Sequence, residues 1–129
     1  MVNGITRFGM ADDAAGGTRR PFSKAVCAGD FVYVSGQVPV LNGEIVGSGI
    51  VEQTELVINN IVEILESADC GLEHVVKVNV WLDDPRDFTS FNSVFERHFN
   101  NHPPARSTVQ TKLMVDVKVE MDVIAYKSE

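Results

Sequence analysis

The sequence predicts an α+β domain, two amphipathic helices packed on one face of a mixed sheet. Two observations carry that prediction. Residues 50–68 and 84–99 repeat apolar side chains at spacings of three and four, the period of a helix with one buried face. Between and around them lie short runs in which β-branched and apolar residues alternate with polar ones, the period of a half-buried strand. The chain has 129 residues, of which 44% are hydrophobic, enough to pack one core. No internal repeat, low-complexity tract or linker divides it, so a single domain over 1–129 is expected.

The chain opens with a short strand over 5–10, followed by a polar, Gly-rich loop from Asp12 to Arg20. Lys24–Ala28 and Phe31–Ser35 are two β-prone runs separated by Gly29-Asp30, which predicts a hairpin with Gly29 at the positive φ of a type II′ turn. Ser35-Gly36-Gln37-Val38-Pro39 ends the second strand. Gly36 is either a plain bulge or a point of close approach for a ligand or another chain. Leu41-Asn42-Gly43-Glu44 is a turn. The first helix runs from Ile50 to Ala68, with Ile50, Val57, Ile58, Ile61, Leu65 and Ala68 as its stripe. Glu52 and Glu55 suit its N-terminal dipole, and Gly71 is the expected C-cap.

Val75–Leu82 is the clearest strand, with Val76, Val78, Val80 and Leu82 on one face and Lys77, Asn79 and Trp81 on the other. Asp84-Pro85-Arg86-Asp87 starts the second helix, Asp84 as N-cap and Pro85 at the first helical position. Phe88, Phe91, Phe95 and Phe99 form an aromatic stripe, expected to be core. Asn92 shares that apolar face, where an amide needs partners: it caps a neighbouring strand or faces a site. Pro103-Pro104 ends the helix. A strand over Arg106–Leu113, a turn around Met114–Asp116 and a strand over Val117–Tyr126 predict a closing hairpin. In the last strand Val117, Val119, Met121, Val123 and Ala125 alternate with Lys118, Glu120, Asp122, Ile124 and Tyr126.

Charge narrows the function. A net charge of −7 disfavours non-specific nucleic-acid binding, and Arg19-Arg20 is the only adjacent basic pair. No signal-peptide pattern or bilayer-length apolar run is visible, and Cys27 and Cys70 lack metal spacing. A cytoplasmic protein with reduced thiols is expected. His74, His98 and His102 form no ligand pattern with them, so no metal is expected.

Two residues can carry chemistry. Arg106 sits behind the rigid Pro103-Pro104 at the start of a strand, where its planar fork can grip a carboxylate; the plainer reading is a surface arginine. If Val109 points into the core, Arg106, Thr108 and Gln110 take the opposite face. Glu120 lies either on a solvated sheet face or beside a cleft, where it can position or deprotonate water. The helices cover one sheet face. The other mixes Trp81, Ile124 and Tyr126 with Lys77 and Glu120, as half an interface does, which predicts an oligomer.

Several stretches together resemble one family. Pro21-Phe22-Ser23-Lys24-Ala25, Val34-Ser35-Gly36-Gln37-Val38-Pro39, Gln53-Thr54-Glu55, Asn60-Ile61, Val75-Val76-Lys77, Asp87-Phe88 with Asn92, Pro104-Ala105-Arg106-Ser107 and Val119-Glu120 are similar to the RidA (YjgF-type) family of reactive enamine/imine deaminases. The resemblance runs from about Pro21 to Ala125. It implies a chorismate-mutase-like α+β subunit and a homotrimer with ligand sites between neighbours. It also implies hydrolysis of 2-aminoacrylate or related 2-imino acids to 2-keto acids and ammonia, without metal or organic cofactor. By resemblance, Arg106 clamps the substrate carboxylate and Glu120 orients the attacking water. Ser35 and Gly36 line the pocket, the Gly36 N–H near the carboxylate, and Asn92 lies close by. The chain departs from the family at two pocket positions, with Phe22 in place of a tyrosine and Thr108 in place of a cysteine.

Phe22 keeps open a catabolic deaminase of a larger enamine acid, of aminomuconate or aminoacrylate type. A different class is a non-catalytic trimer that binds small carboxylates in a regulatory role. Arg106 and Glu120 occurring together favour an enzyme. The charge argues against the RNA-cleaving role attached to some relatives.

Overall fold

A computed structural model describes residues 2–9 and 21–128. Among these residues the chain forms β1 (Ile5–Phe8), β2 (Ala25–Ala28), β3 (Phe31–Gln37), β4 (Val40–Leu41), β5 (Glu44–Ile45), α1 (Ile50–Ser67), β6 (Val75–Leu82), α2 (Phe88–Phe99), β7 (Ala105–Gln110) and β8 (Val119–Tyr126). The expected loop from Asp12 to Arg20 lies outside the described residues. The main sheet has the order β1-β2-β3-β8-β6-β7, and β4 with β5 makes a separate hairpin. Both helices pack on one sheet face, giving the expected α+β layout of a mixed sheet with two helices.

Local chemistry explains the elements. Gly29 has φ +58° and turns β2 into β3, as its place between two β-prone runs predicts. α1 buries Ile50, Val57, Ile58, Ile61 and Leu65. Ser48, just ahead of α1, donates from its N–H and hydroxyl to Glu52 Oε1 at 3.0 and 3.1 Å. Gly71 does not end α1. Asp69 takes the left-handed conformation (φ +60°) instead, and Cys70 N–H reaches back to the Leu65 carbonyl at 2.8 Å, closing the last turn in a Schellman arrangement. An aspartate tolerates that conformation better than most residues, because its short polar side chain can hydrogen-bond locally.

Three other expectations are corrected. The chain does not close with a hairpin, because β7 pairs in parallel with β6 while β8 lies between β3 and β6. α2 is the crossover that parallel pairing requires. Within β6, Val75 is buried and Val76 is 46% exposed. The register against β8 shifts between Val75 and Lys77, so simple alternation fails at that end. Finally, Val109 is 51% exposed and points away from the core, which places Arg106 and Thr108 on the helix-covered side.

Candidate active site

The residues singled out above gather in two groups on opposite faces of the sheet. The first lies on the helix side of β7. In the parallel register Arg106 stands beside Val78 and Thr108 beside Val80, both buried under the helices. Pro103-Pro104 brings the chain out of α2 and into β7, so Arg106 leans back over the helix it has just left. Its guanidinium carbon lies 4.8 Å from the ring centre of Phe95, 5.5 Å from Phe91 and 5.9 Å from Phe88. Phe91 and Phe95 are core, as expected. Phe88 is 42% exposed and forms the rim of this aromatic tray.

Among the described residues no carboxylate pairs with Arg106, and its burial pulls the guanidinium below its ordinary range. Cation–π contact, about 0.5–2 kcal/mol for a partly desolvated pair, offsets some of that burial. A half-buried cation without a carboxylate partner is able to take an anion as one. Among the described residues, Thr108 Oγ1 on the same strand and Asn92 Oδ1 on α2 are buried without partners, as is Asp87 Oδ2 just ahead of α2. Asn92 lies between Phe88 and Phe95 along the helix. Its Oδ1 is buried without a hydrogen-bond partner among the described residues, so it does not cap a neighbouring strand. Next to the tray, a cavity of about 240 Å³ is lined by Leu82, Pro85, Phe88, Thr108, Val109 and Gln110.

The second group lies on the open face, around the end of β3. The register against β8 shifts between Val34 and Gln37, so Ser35 and Gly36 form a bulge. The bulge also makes a close approach. A Cβ on Gly36 would overlap Glu120 Oε2, so the missing side chain is the room that the Glu120 carboxylate occupies. Ser35 donates from its hydroxyl to the Ser23 carbonyl at 2.6 Å. That bond ties the 21–24 segment, with Phe22 at 52% exposure, to the same corner. Glu120 stands across from Trp81, and Asp122 across from Asn79, which donates to Asp122 Oδ1 at 3.0 Å. Burial first, and the charge of Asp122 second, push the Glu120 carboxyl above the usual carboxylate range. Sequence reasoning missed the Asn79–Asp122 pair. Its one signal was two carboxylates at alternate positions of the last strand.

Arg106 and Glu120 therefore do not meet within one chain. β6 lies between β7 and β8, which separates their backbones by about 10 Å at ordinary strand spacing, and the side chains leave opposite faces. A second cavity, about 390 Å³, lies at the far end of the sheet between Cys27, Asp30, Cys70 and Lys127. Burial raises both thiols, which makes them poor nucleophiles. Among the described residues no group of three or more His, Cys, Asp or Glu side chains is placed to hold a metal ion.

The profile of the endoribonuclease L-PSP family matches residues 13–127. The chain belongs to this family, also called YjgF/RutC/Rid. A RutC family protein of Saccharolobus solfataricus is 49% identical over 111 residues, covering 84% of this chain and 88% of that protein. Among solved structures of the YjgF/RutC/Rid family, yeast Mmf1 superposes with a TM-score of 0.86 at 40% identity, covering 96% of this chain and 99% of the other. Escherichia coli TdcF with bound serine superposes at 0.82 and 32% identity, covering 95% and 100%. TdcF thus places a small amino acid on a YjgF/RutC/Rid fold.

Proposed function

We propose that the protein is a hydrolytic deaminase of reactive enamine and imine acids, 2-aminoacrylate or related 2-imino acids, giving 2-keto acids and ammonia. The observation that carries the reading is Arg106: a half-buried guanidinium on an aromatic tray, without a carboxylate partner among the described residues, beside the unpaired Asn92 and Thr108 oxygens. A 2-imino acid supplies the missing carboxylate. With that carboxylate fixed on Arg106, the electrophilic C=N carbon is fixed as well. An enamine first takes a proton on carbon to become the imine. Water then adds to the C=N carbon, and the resulting carbinolamine expels ammonia to leave the keto group. Glu120 is the base for that water. A carboxyl held above its ordinary range binds a proton more readily, and one general base contributes about 10²–10⁴-fold.

Because the two groups lie on opposite faces of one sheet, a complete site takes Arg106 from one subunit and Glu120 from another. β7 is an edge strand, free to bring Arg106 against a neighbouring copy. The assembly is a homotrimer with sites in the clefts between subunits, and no cofactor takes part. Phe22 supplies an aromatic wall without a phenol hydroxyl, and Ser35 holds that wall in place through Ser23. The serine bound to TdcF supports a second, non-catalytic reading in which the same cleft holds a small carboxylate for regulation.

The deciding experiment generates imino acids in situ with an amino-acid oxidase or a serine dehydratase and follows their disappearance. Wild type accelerates the loss, while Arg106→Ala and Glu120→Gln each reduce it by about 10²-fold or more. Saturable binding of serine or a 2-keto acid with no acceleration of any imine gives the regulatory reading instead.

A further inference from the structure

The open sheet face holds one carboxylate that the reaction above leaves unused, Asp122. Glu120 and Asp122 are two residues apart on β8, project from the same face and are both half-buried. Trp81 stands across from Glu120 on β6, and on the β3 side the Gly36 backbone leaves space for its carboxylate. Along the strand its neighbour is a second carboxylate with a fixed position, since Asn79 binds Asp122 Oδ1 at 3.0 Å.

The other charged or titratable groups on β3, β6 and β8 or next to their ends are Asp30, Tyr33, His74, Lys77, Asp83, Lys118, Tyr126 and Lys127. Lys77 Nζ donates to Ser107 Oγ at 3.3 Å, and Asp83 stands 3.9 Å from Lys112. Among the described residues none of them forms an ion pair with Glu120 or Asp122.

We infer that Asp122, held by Asn79, is a positioning residue for Glu120, the fixed negative charge beside which Glu120 takes up and releases the proton of the attacking water. The inference rests on the deaminase reading for its consequence in catalysis, but the interaction itself belongs to the sheet. Two neighbouring carboxylates in a half-buried setting do not ionise independently, and the one with a hydrogen-bond donor loses its proton first. Burial pushes the Asp122 carboxyl above the usual carboxylate range as well, but the amide of Asn79 works against that burial and favours the charged form, while Glu120 has no such donor among the described residues and feels the charge of Asp122 in addition to its own burial. Asp122 is thus the standing anion, and Glu120 is the group that exchanges the proton.

The test is a carbon-13 NMR titration of the Asp and Glu carboxyls, alongside the pH profile of imine hydrolysis, in wild type and Asp122→Asn. The substitution keeps the shape and a hydrogen bond to Asn79 while removing the charge. The Glu120 midpoint is expected to move to lower pH, and the acid limb of the rate profile to move with it. Relative activity at the wild-type midpoint then climbs from half its plateau towards the full value, at most about twofold. Asp122→Glu is expected to restore both. Asn79→Ala is a second probe, expected to raise the Asp122 midpoint.

A Glu120 midpoint unmoved by Asp122→Asn in a folded protein of unchanged native mass overturns the inference. Should Asp122→Asn fail to fold, an Asp122 midpoint that ignores Asn79→Ala overturns it instead. Wild type that hydrolyses no imine removes the deaminase reading, while the NMR titration still decides whether Asp122 governs the Glu120 proton.

Discussion

Gly36 shows how one absent side chain shapes the site. Its Cβ position is occupied by the Glu120 carboxylate. Adding a methyl there meets the far end of a flexible side chain, which can swing aside, so the fold has a way to accommodate the change. Glu120 in its proposed role as base has none, because displacement by about 1 Å is costly to a positioned group. Gly36→Ala is therefore expected to lower kcat/KM by about tenfold or more while Tm stays within about 2 °C of wild type. Paired activity and thermal-melt measurements check this, and a large drop in Tm with activity per folded molecule intact would show that the glycine serves the strand alone. Asn92, Thr108 and Arg106 form the complementary case. Among the described residues the Asn92 and Thr108 oxygens are buried without partners and Arg106 is half-buried without a carboxylate, so the proposed ligand is what would complete them.

Among the elements, α1 does more than cover the sheet. Asn60 donates to the Val38 and Val40 carbonyls at 3.3 and 3.0 Å, which fixes the chain as it leaves the Ser35-Gly36 bulge. Two turns earlier, Gln53 donates to the Gly47 carbonyl at 3.1 Å and accepts from the Lys118 N–H at 2.8 Å, tying the start of the helix to the entry of β8. The two amides hold the strand ends that flank Glu120. Each hydrogen bond contributes about 0.5–1.5 kcal/mol net, so Asn60→Ala is expected to lose about 1–3 kcal/mol. Urea unfolding with an unchanged m-value and a lower midpoint would show it. α2 serves the core and the site at once. Its Phe91 and Phe95 belong to the core and also lie under Arg106, so the packing that stabilises the domain also positions the guanidinium.

At the scale of the whole molecule, the split of Arg106 and Glu120 across the sheet leads to a test of assembly. If one site draws on two subunits, Arg106→Ala and Glu120→Gln proteins, each inactive, restore one another when unfolded together and refolded as a mixture. In a random 1:1 mixture half of the subunits carry each intact group, so about a quarter of the interfaces hold both. Activity near one quarter of wild type is the expected outcome; none at all, in a mixed oligomer verified by mass, would place both groups in the same subunit's site. The native mass itself is expected to be three times that of the chain. The −7 charge keeps RNA an unfavourable partner for such an assembly despite the endoribonuclease name of the family profile.

The amino-acid sequence by itself determined most of the elements and the buried faces of both helices and of β8. Periodicity placed α1, α2, the β2–β3 hairpin and most of β6 and β8 within a few residues, because a side chain's face follows from a period of 3.6 or 2. The residues of the candidate site were legible too, through the Ser-Gly-Gln and Pro-Ala-Arg-Ser stretches. What the sequence could not decide was pairing. β7 and β8 follow one another and suggest a hairpin, yet β8 inserts between β3 and β6, where both its neighbours bury Val119, Met121, Val123 and Ala125. That choice depends on contacts between residues far apart in the chain, which no local period contains. It moved β7 to the edge in parallel with β6, turned Val109 outward and Arg106 inward, and set Arg106 and Glu120 on opposite faces of one sheet.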